Sequence, residues 1–314
     1  MNHLFKKTAL LLSLLMLLFA FAGCTDGFET GDPASKGSPS GSLESGSKES
    51  TPATPSKEQS EAPVSPSESE QTSPSVDPAL PIHKDNAHEK LLAGYNATMS
   101  ASSVKLSGVV SNYNAGSGKG DTVSHGISFS STKDGGVFKA TLSYGGNYED
   151  TECYFEGSKK YTKLTSKETG EVTVTDFESS TGYTIANTVI PVLSENMTIT
   201  SYDNAFRRFS ETDFGVELKD GVYTLYFYGS YTEIARICLE DQVYESFLSQ
   251  KVEEQFTTSG AMEIRLTEDG YFVGMTTEIN LESDERSMKS TISYNFTDFN
   301  GSVSVERPDF AKEA

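Results

Sequence analysis

The chain has 314 residues, a net charge of −20 and a hydrophobic fraction of 36%. Two domains would fit that length, but all fifteen tyrosines lie from Tyr95 onward and nine of the eleven prolines lie between Pro33 and Pro81. Core-forming material is therefore confined to one stretch, and the acidic balance repels phosphate backbones, which argues against nucleic acid as a partner.

The first 23 residues read as a secretory signal. Lys6 and Lys7 give a basic start, and the apolar run from Leu10 is too short and wrongly flanked for a stable membrane span. The ending Phe21-Ala22-Gly23-Cys24 resembles a bacterial lipobox, with Phe21 where Leu is usual. That resemblance implies cleavage before Cys24 and transfer of a diacylglycerol to its thiol. Two or three acyl chains, at roughly 0.8 kcal/mol per buried CH₂, hold a protein durably on a bilayer. The expected location is extracytoplasmic, lipid-anchored to the cell membrane at Cys24.

Residues 24–85 follow as a Ser-, Pro- and Glu-rich tether without aromatics after Phe28. Such a segment buries too little apolar surface to offset its chain entropy and reads as disordered. About sixty flexible residues give an r.m.s. span of ~45 Å, and a fully extended path gives ~190 Å. It reads as a spacer for a folded domain over 86–314.

Within that domain, Ala87, Leu91, Leu92, Tyr95 and Met99 recur at helical spacing and predict one amphipathic helix. From Val104 the period falls to two, as in Phe138, Ala140, Leu142 and Tyr144, and again in Met262, Ile264 and Leu266. Tyr271, Val273, Met275, Thr277, Ile279 and Leu281 continue the alternation, with Phe272 as an exception. This pattern predicts antiparallel strands with one dry face. Asp134-Gly135, Asp220-Gly221, Asp269-Gly270 and Asn300-Gly301 suit hairpin turns, giving a meander of about ten strands. Val222–Tyr228 is apolar or aromatic almost throughout and reads as covered on both faces. Ser230 and Glu233 then form a capping-box signature for a helix running to about Lys251. Thr181–Glu195 reads as a short, broken helix because of Pro191 and its β-branched residues.

Motifs for catalysis are missing. The histidines at 3, 83, 88 and 125 do not cluster, which disfavours a zinc site or a Ser-His-Asp triad. Gly116-Ser117-Gly118-Lys119-Gly120 lacks phosphate-loop spacing and reads as a hairpin loop, and no G-x-S-x-G elbow occurs. The acid pairs Glu149/Asp150 and Asp284/Glu285 sit at turns without an apolar pocket to separate their pKa values. No enzyme activity, cofactor or metal is expected. Cys153 and Cys238 could form a disulfide in an oxidising compartment, while Cys238, among Ile234, Ile237 and Leu239, reads equally as a small buried hydrophobe.

A long meander with one dry face must close or be covered. The expected fold is α+β, mainly antiparallel: a curved, unclosed β-barrel, or half-barrel, with two or three helices on its concave face. Two stretches resemble the LolA/LolB-like lipoprotein-carrier superfamily, which includes LppX-type lipoproteins. One is Tyr154-Phe155-Glu156-Gly157-Ser158-Lys159-Lys160-Tyr161, similar to its aromatic–Gly–aromatic hairpin. The other is Tyr294-Asn295-Phe296-Thr297-Asp298-Phe299-Asn300 with Val303, Val305 and Pro308, similar to its closing strand. The resemblance implies a hydrophobic cavity for acyl chains or another apolar molecule. Tyr226, Tyr244, Phe247, Leu248 and Met275 are the expected lining. The competing expectation is a cell-surface interaction or sensor module with a packed interior and an envelope protein as partner.

Overall fold

In the computed structural model the described residues are 81–115, 120–197 and 199–312. The signal peptide, Cys24, the tether up to residue 80 and the Gly116–Lys119 loop lie outside them. One α-helix, α1 (Ala87–Met99), precedes six strands: β1 (Ser103–Ala115), β2 (Asp121–Asp134), β3 (Val137–Gly145), β4 (Glu149–Glu156), β5 (Lys159–Ser166) and β6 (Val172–Glu178). Then come α2 (Ile185–Met197), α3 (Tyr202–Glu211), β7 (Gly215–Lys219) and β8 (Val222–Gly229). After α4 (Tyr231–Cys238), α5 (Asp241–Leu248) and α6 (Val252–Gln255), the chain ends with β9 (Thr257–Thr267), β10 (Phe272–Glu282), β11 (Ser287–Thr297) and α7 (Asp309–Lys312). Among the described residues no helix is long and apolar enough to cross a membrane.

All eleven strands form one antiparallel sheet in the order β6-β5-β4-β3-β2-β1-β11-β10-β9-β8-β7, and it does not close. The fold is an open, curved α+β half-barrel. Hairpins join sequence neighbours, and the β1–β11 pairing, with Gly108 opposite Tyr294, joins the two halves of the meander. The β2–β3 turn rests on Gly135 and Gly136, both at positive φ, one residue later than the Asp-Gly reading placed it. Asn300, also at positive φ, makes no hairpin; its side-chain oxygen accepts from the Ser102 backbone N–H at 2.7 Å and fastens the end of β11 beside the start of β1.

A bulge in β10 explains the Phe272 exception. Phe272 pairs with Leu266 and Gly274 with Arg265, so Val273 is the extra residue and the facing of the strand resets around it. Phe272 is fully buried and touches Tyr95, Tyr202, Phe206, Tyr294 and Phe296, with ring centroids 5.7–6.4 Å apart. Thr98 of α1, itself fully buried, donates from Oγ1 to the Phe272 carbonyl at 3.0 Å. Gly274 has φ 151°, and a Cβ there would stand 2.0 Å from the Tyr294 carbonyl oxygen. On the outer face Arg265 Nη2 donates to that same carbonyl at 3.2 Å, while its other nitrogens reach Asn295, Glu263 and Thr276.

Four helices, rather than two or three, bury apolar faces in the main core. The additional one is α3, capped by Ser201, whose Oγ accepts from the Asn204 N–H at 3.3 Å; it buries Tyr202, Ala205, Phe206 and Phe209. Helix α2 is continuous with Pro191 inside it, where the sequence suggested a broken segment. The Ser230–Glu233 capping box forms as expected, but the helix it starts ends at Cys238. Arg208 of α3 donates to the Arg236 carbonyl at 2.6 Å, to the Leu239 carbonyl, and to Asp241 at 2.6 Å. A cation held there satisfies the last carbonyls of α4 and starts α5 in a new direction. Strand β8 is covered on one face only: Leu225 and Phe227 are buried, whereas Tyr228 is 69% exposed.

Substituting Gly274→Ala forces a Cβ into the Tyr294 carbonyl at a φ that side chains avoid. We expect a loss of about 3 kcal/mol in urea unfolding, against less than about 0.5 kcal/mol for Gly126→Ala, where a Cβ meets open space.

Candidate functional site

Cross-strand register assembles a transverse row on the inner face that spans the whole sheet. It runs Val216, Leu225, Ile264, Met275, Tyr294, Gly108, Ile127, Tyr144, Thr151, Leu164 and Thr173, one residue per strand from β7 to β6. Leu225, Ile264, Met275 and Tyr294 are 0–1% exposed beneath the helices. From β3 onward the cover thins, since Tyr144 and Leu164 are half-buried and Thr173 is exposed. A parallel row places Ile292 beside Val110 and His125, and Ile279 follows one pair further along β10. Ile279, Ile292 and Tyr144 pack on the core but remain partly open.

An open groove of about 410 Å³ lies where this cover ends, lined by His125, Ile127, Tyr144, Gly145, Thr151, Glu152 and Lys167 among others. Its origin is local. The pairing of β2 with β3 stops at Ile127–Tyr144, while β3 and β4 continue to pair as far as Gly145–Asp150. The β3–β4 turn therefore stands away from β2 and leaves a notch. His125 bridges part of it, with Nε2 3.0 Å from Asn147 Oδ1, and its buried Nδ1 makes no hydrogen bond. Lys167 holds the turn from the other side, donating to the Gly146 carbonyl at 2.7 Å and pairing with Asp150 at 3.1 Å. Glu152 pairs with Lys163 at 2.7 Å. The groove is thus lined mainly by polar residues, including Ser124, Ser128 and Ser143, with Ile127 and Tyr144 as its apolar patch and with charges that are locally paired.

The five residues expected to line a cavity do not converge. Met275 is fully buried in the main core. Tyr244 and Phe247 stack with centroids 6.3 Å apart in a satellite cluster with Ala235 and Leu239. Leu248 is 40% exposed. Tyr226 faces the other side of the sheet from buried Leu225, 5.9 Å from the Tyr228 ring, and lies over Gly215 of β7. The space under the helices is filled by aromatic rings, including the Tyr202–Tyr294 hydroxyl pair at 3.0 Å. Burial raises both phenol pKa values, so the pair stays neutral.

Cys153 and Cys238 are free and buried, which corrects the disulfide expectation. Cys153 lies on β4 beside Thr162 of β5, whereas Cys238 closes α4. Burial pushes the Cys238 thiol up to about 12 and raises that of Cys153. The histidines are dispersed: His88 Nε2 lies 2.8 Å from Asp203 between α1 and α3, and His83 contacts the Pro81 carbonyl. Among the described residues no group of three or more His, Cys, Asp or Glu could hold a metal ion.

Sequence reading missed the groove because its floor depends on register. The available signal was Tyr144 ending an alternating strand just before Gly145-Gly146, followed by a charged hairpin. No family model matches the chain. No curated protein matches it either. Several solved structures are similar to it. One is a candidate outer membrane lipoprotein-sorting protein domain from Vibrio parahaemolyticus, 9% identical, matched over 74% of this chain and 98% of that one, with a TM-score of 0.23. Another is a DUF1329 family protein from Desulfovibrio piger, 8% identical, over 71% of this chain and 94% of that one, with a TM-score of 0.21. Likenesses of this size carry no argument about ligand or activity.

Both cysteines should resist iodoacetamide at pH 8 in the native chain, because protonated and buried thiols do not attack. Denaturation should make both react without a reductant, read as two added carbamidomethyl groups on Cys153 and Cys238 by peptide mass mapping.

Proposed function

We propose that this chain is a non-enzymatic extracytoplasmic lipoprotein, anchored through Cys24, that binds a lipid or other apolar ligand on the inner face of its curved sheet. The observation that carries the reading is the stretch of dry face beyond the helices. Ile127 and Tyr144 floor an open groove, and Ile292 and Ile279 continue the apolar surface across β11 and β10. Met275, in the same transverse row, lies three strands away, buried in the main core, and offers no contact. The contact moves from Tyr226, Tyr244, Phe247, Leu248 and Met275 to Ile127, Tyr144, Ile292 and Ile279. An acyl chain laying ~200 Å² of surface on the floor gains roughly 5 kcal/mol, a gain of the same order as the cost of association, which sets the holding as weak. That suits reversible holding of a ligand better than permanent sequestration.

A second reading, an interaction or sensor module at the cell surface, is favoured by the aromatic filling beneath the helices. The two separate in one experiment. The full chain in detergent-free buffer should displace a fluorescent fatty acid from vesicles, and Tyr144→Ala should weaken binding about 5-fold, equal to ~1 kcal/mol of lost burial. Tyr228→Ala, on an exposed ring outside the groove, should leave binding unchanged. No binding by the wild type, with no lipid in native mass spectra, would leave the second reading.

Anchoring has its own check. Cys24→Ser should abolish incorporation of labelled palmitate and release the protein into the medium; persistent labelling would place the lipid elsewhere.

A further inference from the structure

The free edge at β6 points to a second binding surface, independent of the groove. Its ladder with β5 fixes which backbone groups are used. Ser166 N–H donates to the Glu171 carbonyl at 2.9 Å and Ser179 N–H to the Ser158 carbonyl at 2.8 Å. Hydrogen-bonded pairs alternate in an antiparallel ladder, so between these limits Thr173, Thr175 and Phe177 direct their N–H and C=O groups to β5. Val172, Val174, Asp176 and Glu178 direct theirs outward, where no described strand receives them.

All seven residues of β6 are exposed, including Val172 at 52%, Val174 at 41% and Phe177 at 63%. Edges are usually blunted by proline, a bulge, an inward-pointing lysine or a covering segment. Among the described residues β6 carries no proline, bulge, lysine or cover, its one blunting device is the acidic pair Asp176 and Glu178, and Val-Thr-Val-Thr has high β propensity. By contrast β7, the other edge, has five residues and keeps Tyr226 laid across its first one. Charge selects the occupant. Asp176 and Glu178 lie at one end of β6 and Glu171 just before it, on a chain of net charge −20. A second copy added antiparallel would set its Glu178 and Asp176 opposite Val172 and Val174, where the acids gain no partner. A strand carrying lysine or arginine opposite Asp176 and Glu178, and apolar residues opposite Val172 and Val174, is complementary in both respects.

We propose that β6 receives an extended basic–apolar segment of a partner protein by antiparallel strand addition. The outward backbone groups supply affinity, and the acidic pair at one end with the two valines at the other supplies register and selectivity.

Proline separates this role from folding. At Val174 it removes an outward N–H that the β5 ladder does not use, a position that edge strands tolerate. The probe is a fluorescein-labelled peptide, Lys-Val-Lys-Thr-Val-Thr-Val, titrated with the full chain and read by anisotropy. Val174→Pro should weaken binding at least 10-fold with an unchanged thermal midpoint and unchanged fatty-acid binding. The peptide with glutamate in place of both lysines should bind the wild type at least 10-fold more weakly. The double variant Asp176→Lys, Glu178→Lys should reverse that preference, and it keeps the test decisive if the proline variant fails to fold. Equal binding of the two peptides would overturn the proposal. So would binding that survives the proline in a folded protein. A concentration-dependent dimer of the wild type abolished by Val174→Pro would overturn it in favour of a second copy as occupant.

Discussion

One irregularity, the bulge at Phe272–Gly274, holds the two sides of the sheet in their observed relation. Without the extra residue, strict alternation would aim either Phe272 or Met275 away from the core. With it both point inward, and both are fully buried. The bulge joins three layers. Thr98 secures α1 to the Phe272 carbonyl from inside, and Gly274 admits the Tyr294 carbonyl at a distance no side chain would allow. Arg265 reaches that carbonyl from outside. Burial lowers the Arg265 pKa from its ordinary value, yet the guanidinium remains charged because Glu263 and three further hydrogen bonds offset its loss of water. A cation on the half-barrel's outer face is thus part of what positions the aromatic core on its inner face.

From that centre, helical cover falls off in one direction. Helices α1, α3 and α4 lie over β8–β11 and β1, where the transverse row is sealed. Beyond β2 the same row passes through Ile127, Tyr144 and Leu164 to exposed Thr173. Sequence alone suggested a deficit of helix relative to dry sheet, and that deficit exists. It is not spread evenly as a hollow under the helices. It is concentrated at the Tyr144 end of β3 and on β5 and β6, because Phe138, Ala140, Leu142, Cys153 and Phe155 of β3 and β4 are buried in the core with α2, and the aromatic side chains of α1 and α3 fill the space beneath them.

The strand alternation, the capping box at Ser230 and the openness of the sheet were legible in the residues, since each depends on local period or on one short motif. Helix α3 was also legible, with Ser201 ahead of Tyr202, Ala205, Phe206 and Phe209 at helical spacing, but its charged residues obscured the pattern. What could not be read was anything set by partners distant in sequence. Arg208 breaks the helix after Cys238 from another element, and nothing in residues 231–251 announces that. The five expected lining residues shared a type but not a face: Tyr226 and Leu225 are adjacent, and only one of them points inward. The groove required knowing that the register of β2 on β3 runs out at Ile127.

The groove and the free edge have a common cause. Where the helices stop, a twisted antiparallel sheet keeps two unmet demands: a dry face without cover and a last strand without a neighbour. The outer face of the same wing is treated differently. The C-terminal segment lays Val305, Phe310 and Ala311 over Tyr154 and Tyr161, and Arg307 spans to Glu156 and the Tyr161 hydroxyl. This strap gives β4 and β5 a second layer on the outside, while on the inside Tyr144 and Leu164 stay half-buried and the β6 edge has no described neighbour. Strand β6 lies one strand beyond the strap's contacts on β5 and beyond the buried inner face of β3 and β4, so the support of both layers ends there.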